Sequence, residues 1–191
     1  MPRTATTFTT LDVYHSVLAL RTDVAAGPDN IHPEHLRNAD ASLLPHLTYF
    51  FNLSSTTSYL PGNLMNIVIS SIVKNNKGKI TEASNHRPIA KATPNSKCLE
   101  KMLLTLLKPY ISTADNQFGY KSGLGTDTCV LTLKETIAKY NGRETNVFIA
   151  FLDASRAFDR ISFYTLFKIL KKEEYLVICL NVSITGILIK Q

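Results

Sequence analysis

Apolar residues in this chain recur at helical spacing in some stretches and crowd into short β-branched runs in others. Leu11, Tyr14, Val17 and Leu18 align on one face of a predicted first helix, with Thr9 or Thr10 as its cap. Ala26-Gly27-Pro28-Asp29-Asn30 follows as a turn-rich break. Leu43, Leu44, Leu47, Phe50 and Phe51 predict a second helix, closed by Leu60-Pro61-Gly62. Residues 65–73 are rich in Ile and Val and read as a strand with Lys74 at its exit. A polar, basic, glycine-containing loop over residues 75–84 leads to Arg87-Pro88-Ile89-Ala90, which the proline biases towards extended backbone. The two segments together predict a hairpin with basic residues on both arms.

Thr93-Pro94 is a strong helix start, since Thr caps well and Pro is tolerated at the first helical position. Leu99, Met102, Leu103, Leu106, Leu107 and Tyr110 form that helix's apolar face. Thr126 is placed to cap a further helix with Val130, Leu133, Ile137 and Tyr140 aligned, and Asn141-Gly142 then turns the chain. Six uncharged residues, 147–152, run into Asp153 as a buried strand delivering one carboxylate would. Ile161, Thr165, Leu166, Ile169 and Leu170 suggest a closing helix. The order of elements predicts a mixed α and β chain.

Composition narrows the classes. At 191 residues and 45% hydrophobic, the chain can bury a real core, which excludes disorder. Its net charge of +6 is concentrated between residues 74 and 108, where Lys74, Lys77, Lys79, Arg87, Lys91, Lys97, Lys101 and Lys108 face only Glu82 and Glu100. Such a cluster suits a polyanionic partner. Cys98, Cys129 and Cys179 are scattered, no secretory leader is seen, and neither a disulfide scaffold nor a zinc site is expected. An intracellular setting, nucleus or cytoplasm, fits. The uncharged stretches are short or interrupted by polar residues and Pro, so no membrane span is expected.

A carboxylate at a strand end is a natural ligand for Mg²⁺, or for Mn²⁺ in its place, yet two-cation phosphoryl chemistry needs several such ligands. Asp159, six residues past Asp153, reads better as a turn or helix-start residue. Lys74 and Arg87 could hold a triphosphate, Arg by its planar fork and Lys as a point charge. Gln117-Phe118-Gly119-Tyr120-Lys121-Ser122-Gly123 offers glycines, aromatics for stacking and another cation. It lacks the spacing of a Walker loop. No His-Glu-x-x-His and no Gly-x-Ser-x-Gly occurs, so metallopeptidase and serine hydrolase chemistry find no support.

In order along the chain, these segments resemble the reverse transcriptase of non-LTR (LINE-type) retrotransposons. Ala26-Gly27-Pro28-Asp29-Asn30-Ile31 is similar to that family's Gly-Pro-Asp-Gly-Ile motif, and Asn85-His86-Arg87-Pro88-Ile89 to its Asn-Tyr-Arg-Pro-Ile. Ser96-Lys97-Cys98-Leu99-Glu100-Lys101 resembles its Lys-x-Leu-Glu-Lys helix, and Gln117-Phe118-Gly119-Tyr120-Lys121 its Gln-Phe-Gly-Phe-Arg segment. Residues 151–159 resemble Phe-Leu-Asp-x-x-Lys-Ala-Phe-Asp, which carries the first catalytic aspartate. The departures are His86 for an aromatic, Lys121 for Arg, Lys91 for an apolar residue and Leu64 for Trp.

The resemblance implies an α+β fold: a right-hand polymerase fingers/palm fragment, helices packed on small antiparallel sheets. Residues 1–62 would lead into the fingers, 63–145 form them, and 146–191 make the first half of the palm. Asp153 would be the catalytic residue and bind Mg²⁺; Lys74, Arg87 and Lys121 would contact nucleotide; Phe158 would be the aromatic gate against a ribose 2′-OH. Gln117 and Gly119 would lie near template or nucleotide. The partners implied are an RNA template, a DNA primer and deoxynucleoside triphosphates. No Asp follows Asp159, so the carboxylates of the second palm strand, in the C-terminal half of the domain, are expected to be missing. The competing expectation is a non-catalytic, nucleic-acid-binding remnant of a retroelement.

Overall fold

The computed structural model describes residues 7–110, 113–154, 160–162, 164–166 and 168. They fall into two compact units, the second of residues 110–166 and the first of the remainder.

The first unit is a helical core with a hairpin. Helix α1, Thr10–Leu18, starts in a capping box: the Asp12 N–H donates to Thr9 Oγ1 at 3.2 Å, and the Thr9 N–H donates to the Asp12 carboxylate at 2.8 Å. Each satisfies an amide that the helix itself leaves unpaired. The buried face of α1 is Val13, Ser16 and Val17, while Leu11, Tyr14 and Leu18 are exposed. Of the four residues predicted to face the core only Val17 does. The reason is contact with α5, Pro94–Leu107, where small Ser16 meets the buried Cys98 and lets the helices approach. Burial pushes the Cys98 thiol up to about 11, against a weaker hydrogen bond from Ser16, and keeps it a neutral core residue.

Helix α2 is Pro33–Arg37 and α3 is Leu43–Thr57; α1 packs on both. Phe51 of α3 is fully buried, and Leu44, Leu47 and Phe50 pack against the core as their spacing predicts. Asn52 ties the chain before α1 to α3, accepting from the Phe8 N–H at 2.6 Å and donating to the Phe8 carbonyl at 2.9 Å. Ser58 ends α3 in the left-handed region, at φ 53°. A short helix α4, Gly62–Met65, takes Met65 out of the predicted strand and into the core. Thr93 caps α5 as expected, its Oγ1 accepting from the Ser96 N–H at 3.2 Å, and Leu99, Met102 and Leu103 are buried beneath it.

Strands β1, Ile67–Val73, and β2, His86–Ala92, pair antiparallel, with Ile67 opposite Ala92 and Val73 opposite His86. The fold class is thus mixed, helices with a small two-stranded antiparallel sheet. Gly27 sits at the root of the hairpin: a Cβ there would lie 2.9 Å from the Ala92 carbonyl oxygen and 3.1 Å from Thr93 Cα. The turn beyond it closes through the Asn30 N–H donating to Gly27 O at 3.1 Å, with Asn30 itself at φ 56°. That is the position at which the resembling motif carries Gly, and Asn is among the few other residues that tolerate it.

The second unit contains helix α6, Thr126–Asn141. Its cap is Gly125, with no side-chain hydrogen bond, rather than Thr126. Val130 and Tyr140 lie on its aligned face, but no residue of α6 is buried. Within the predicted closing helix, residues 164–166 of this unit are helical, as is residue 168 of the first unit, whereas Ile161 is not; Ile169 and Leu170 lie outside the described residues.

Candidate nucleotide-binding site

The hairpin of the first unit carries the densest set of cations. Arg87 stands opposite Ile72 in the register, and Lys74 follows β1 directly, so the two predicted phosphate contacts lie on facing arms. Both are exposed. The Lys74 N–H donates to the Asn85 carbonyl at 2.8 Å, and its Nζ donates to the Ser84 carbonyl at 2.8 Å. An ammonium has three donors, so two remain for an anion.

The loop between the arms is tightly organised. The Gly78 N–H donates to the Asn75 carbonyl at 3.0 Å and the Lys77 N–H to Asn75 Oδ1 at 2.9 Å, a turn that presents Lys77 and Lys79 to solvent. Lys79 lies 3.5 Å from Glu82 on an open surface, a pairing of little energetic consequence. His86, at the position where the resembling motif has an aromatic, bridges two stretches of chain. One ring nitrogen, Nε2, lies 2.6 Å from the Ile80 carbonyl and the other, Nδ1, 2.7 Å from Ser71 Oγ. A carbonyl only accepts, so Nε2 donates to Ile80, while Nδ1 shares a hydrogen bond with the Ser71 hydroxyl. Charge alone does not point to this network of Asn75, Asn85 and His86, and sequence reasoning missed it; the signal in the sequence is the two asparagines bracketing the loop.

Gln117, Gly119 and Lys121 lie in the second unit. Gln117 Nε2 donates to the Gly119 carbonyl at 3.0 Å, closing the segment on itself. Lys121 Nζ lies 3.4 Å from the Ala114 carbonyl and 3.9 Å from Asp115, so its ammonium faces chain atoms rather than open solvent alone. Tyr120, at φ 59°, is 94% exposed and available for stacking. No atom comes within 4 Å of a Cβ placed on Gly119, so packing does not demand glycine there.

Asp153 is an exposed carboxylate in irregular chain, not the end of a buried strand. Phe148, Phe151 and Leu152 before it are 93%, 84% and 97% exposed. A strand forms only against a partner that takes its N–H and C=O groups, and among the described residues this segment has none. Phe158 and Asp159 lie outside the described residues.

Among the described residues no three His, Cys, Asp or Glu side chains gather where a metal ion would sit. One carboxylate does not make a two-cation centre, and the described residues do not by themselves fit one. A cavity of about 130 Å³ between α1 and α5, lined by Phe8, Asp12, His15, Lys101 and Met102 among others, is smaller than a nucleotide requires and has no hairpin residue in its wall. No helix among the described residues is long and apolar enough to cross a membrane.

Residues 72–184, more than half of the chain, match the family described as Reverse transcriptase (RNA-dependent DNA polymerase). The chain belongs to the reverse transcriptase family. The match begins within β1 and takes in Lys74, Arg87, Gln117, Gly119, Lys121, Asp153 and Phe158. Members of this family work on a nucleic-acid template and primer with deoxynucleoside triphosphates, and use divalent metal ions.

Proposed function

We propose that this reverse transcriptase chain is the fingers and first palm segment of a non-LTR (LINE-type) retrotransposon polymerase, which copies RNA into DNA by Mg²⁺-dependent nucleotidyl transfer. The observation that carries the reading is the hairpin, with Lys74 and Arg87 exposed on facing arms inside the matched region. An incoming triphosphate takes the Arg87 fork and the Lys74 ammonium, and the loop lysines follow the phosphates of an RNA template. By the family resemblance Lys121 would contact nucleotide, Gln117 and Gly119 would lie near template or nucleotide, Asp153 would hold the cation and Phe158 would gate the sugar. The turn at Gly27 and Asn30, before the matched region, supports the non-LTR assignment.

A second reading is favoured by the carboxylates. Asp153 is the one predicted ligand among the described residues, and no three His, Cys, Asp or Glu side chains gather among them where a metal ion would sit. On that reading the chain binds nucleic acid without polymerising. Primer extension on poly(rA) with oligo(dT) and Mg²⁺ separates the two. Incorporation that disappears in Asp153→Ala supports the polymerase; absence of incorporation together with salt-sensitive RNA binding selects the remnant.

A further inference from the structure

Asn85 uses every polar group it has within the hairpin. Its carbonyl accepts from the Lys74 N–H at 2.8 Å and its own N–H donates to the Glu82 carbonyl at 3.0 Å. The side-chain Oδ1 accepts from the Asn75 N–H at 3.0 Å, while Nδ2 donates to the Asn75 carbonyl at 2.9 Å and to the Lys79 carbonyl at 3.3 Å. The side-chain amide therefore pairs with Asn75 as the peptide of a facing strand would. Pairing that formally ends at Val73 and His86 continues past Lys74, which is held between two sets of bonds.

The fit around that amide is close. A Cβ on Gly78 would lie 3.0 Å from Asn85 Nδ2, so a larger residue in the turn would press the amide aside by a few tenths of an ångström. Lys74 is gripped at both ends by consecutive residues: its backbone by Asn85 and its Nζ by the Ser84 carbonyl. A lysine held in this way has already lost much of the side-chain freedom that binding an anion would otherwise cost.

We propose that Asn85 is a positioning residue for nucleotide binding that acts through Lys74, an inference resting on Lys74 as a triphosphate contact. It touches no substrate; it fixes where the ammonium points.

The test uses the full chain with dTTP and Mg²⁺ as the probe, measured by equilibrium binding. Asn85→Ala is expected to weaken dTTP binding about fivefold, near what one net hydrogen bond is worth. In a Lys74→Ala background the same change should have no further effect, because the residue it serves is gone. Equal losses in both backgrounds would mean a general structural role and overturn the proposal. Gly78→Ala, which displaces the amide without removing it, should reproduce the loss, and carries the test if Asn85→Ala fails to fold. Amide exchange supplies a readout independent of nucleotide: the Asn75 N–H should exchange faster in both variants, and unchanged protection would overturn the proposed geometry. If Lys74→Ala binds dTTP as well as the parent, the nucleotide-contact reading falls and Asn85's role falls with it. If Lys74→Ala binds weakly but Asn85→Ala does not, the contact stands and only the positioning role is lost.

Discussion

Replacing Gly27 by Ala sets two effects of opposite sign against each other. The new Cβ would stand 2.9 Å from the Ala92 carbonyl oxygen and 3.1 Å from both Ala92 C and Thr93 Cα. All three are backbone atoms at the junction of β2 and α5, where no rotamer change gives relief. Comfortable separation for carbon is about 3.5 Å, so the hairpin root must shift by several tenths of an ångström. Overpacking of this kind costs roughly 1–3 kcal/mol. Against it, Ala restricts the unfolded chain and returns about 0.4–1 kcal/mol, since Gly27 does not occupy the left-handed region that would strain Ala. The expected net loss is about 1 kcal/mol, within a span of roughly 0–2.6 kcal/mol. Urea unfolding followed by circular dichroism would show it as a lower midpoint with an unchanged slope. Gly62→Ala is the control in the same unit, because no atom lies within 4 Å of its Cβ, and it should leave the midpoint unchanged or raise it. A Gly27→Ala midpoint as high as that of the control would refute close approach at the hairpin root.

Two further outcomes follow from the helix ends. Ser58 closes α3 at φ 53°, so Ser58→Gly should stabilise the fold by about 0.5–1 kcal/mol through relief of that conformation, read as a higher urea midpoint, and a fall would contradict it. The Asp12 carboxyl is held below its ordinary 3.8, first by the Thr9 hydroxyl and then by the Thr9 N–H. Its native value is depressed, so its contribution is complete above 3.8 and fades as pH falls through the lowered native value. Asp12→Asn should flatten that acid limb of a melting-temperature profile without abolishing it, because Glu34 and Asp40 are also held low by hydrogen bonds.

What could be read from the sequence was what local chemistry decides. Thr93 followed by Pro94 announced the start of α5, and the Ile- and Val-rich run with Pro88 beyond it announced the hairpin, because caps and proline act within a few residues. The face of α1 was open to misreading because both Leu11-Tyr14-Leu18 and Val13-Val17-Leu20 obey helical spacing. Only packing on α5, where Ser16 meets Cys98, chooses between them. The apolar run before Asp153 suggested a strand, but a strand depends on a neighbour that periodicity does not supply. Lys74 and Arg87 were legible as charges; the carbonyls of Ser84 and Asn85, which accept from the Lys74 Nζ and N–H, were not, because their positions depend on the path of the loop over residues 75–84.

The two rims of the hairpin are chemically unequal. β1 reads Ile-Val-Ile-Ser-Ser-Ile-Val, without a charge or a proline, whereas β2 carries Arg87, Pro88 and Lys91. A proline offers no N–H to an arriving strand, and lysine on an edge discourages one. Self-templating growth of β structure from this protein is therefore one-sided: the β1 rim has the composition that invites an added strand, and the β2 rim is guarded. Arg87, the residue proposed to meet a triphosphate, would thus also help guard the β2 rim against an added strand.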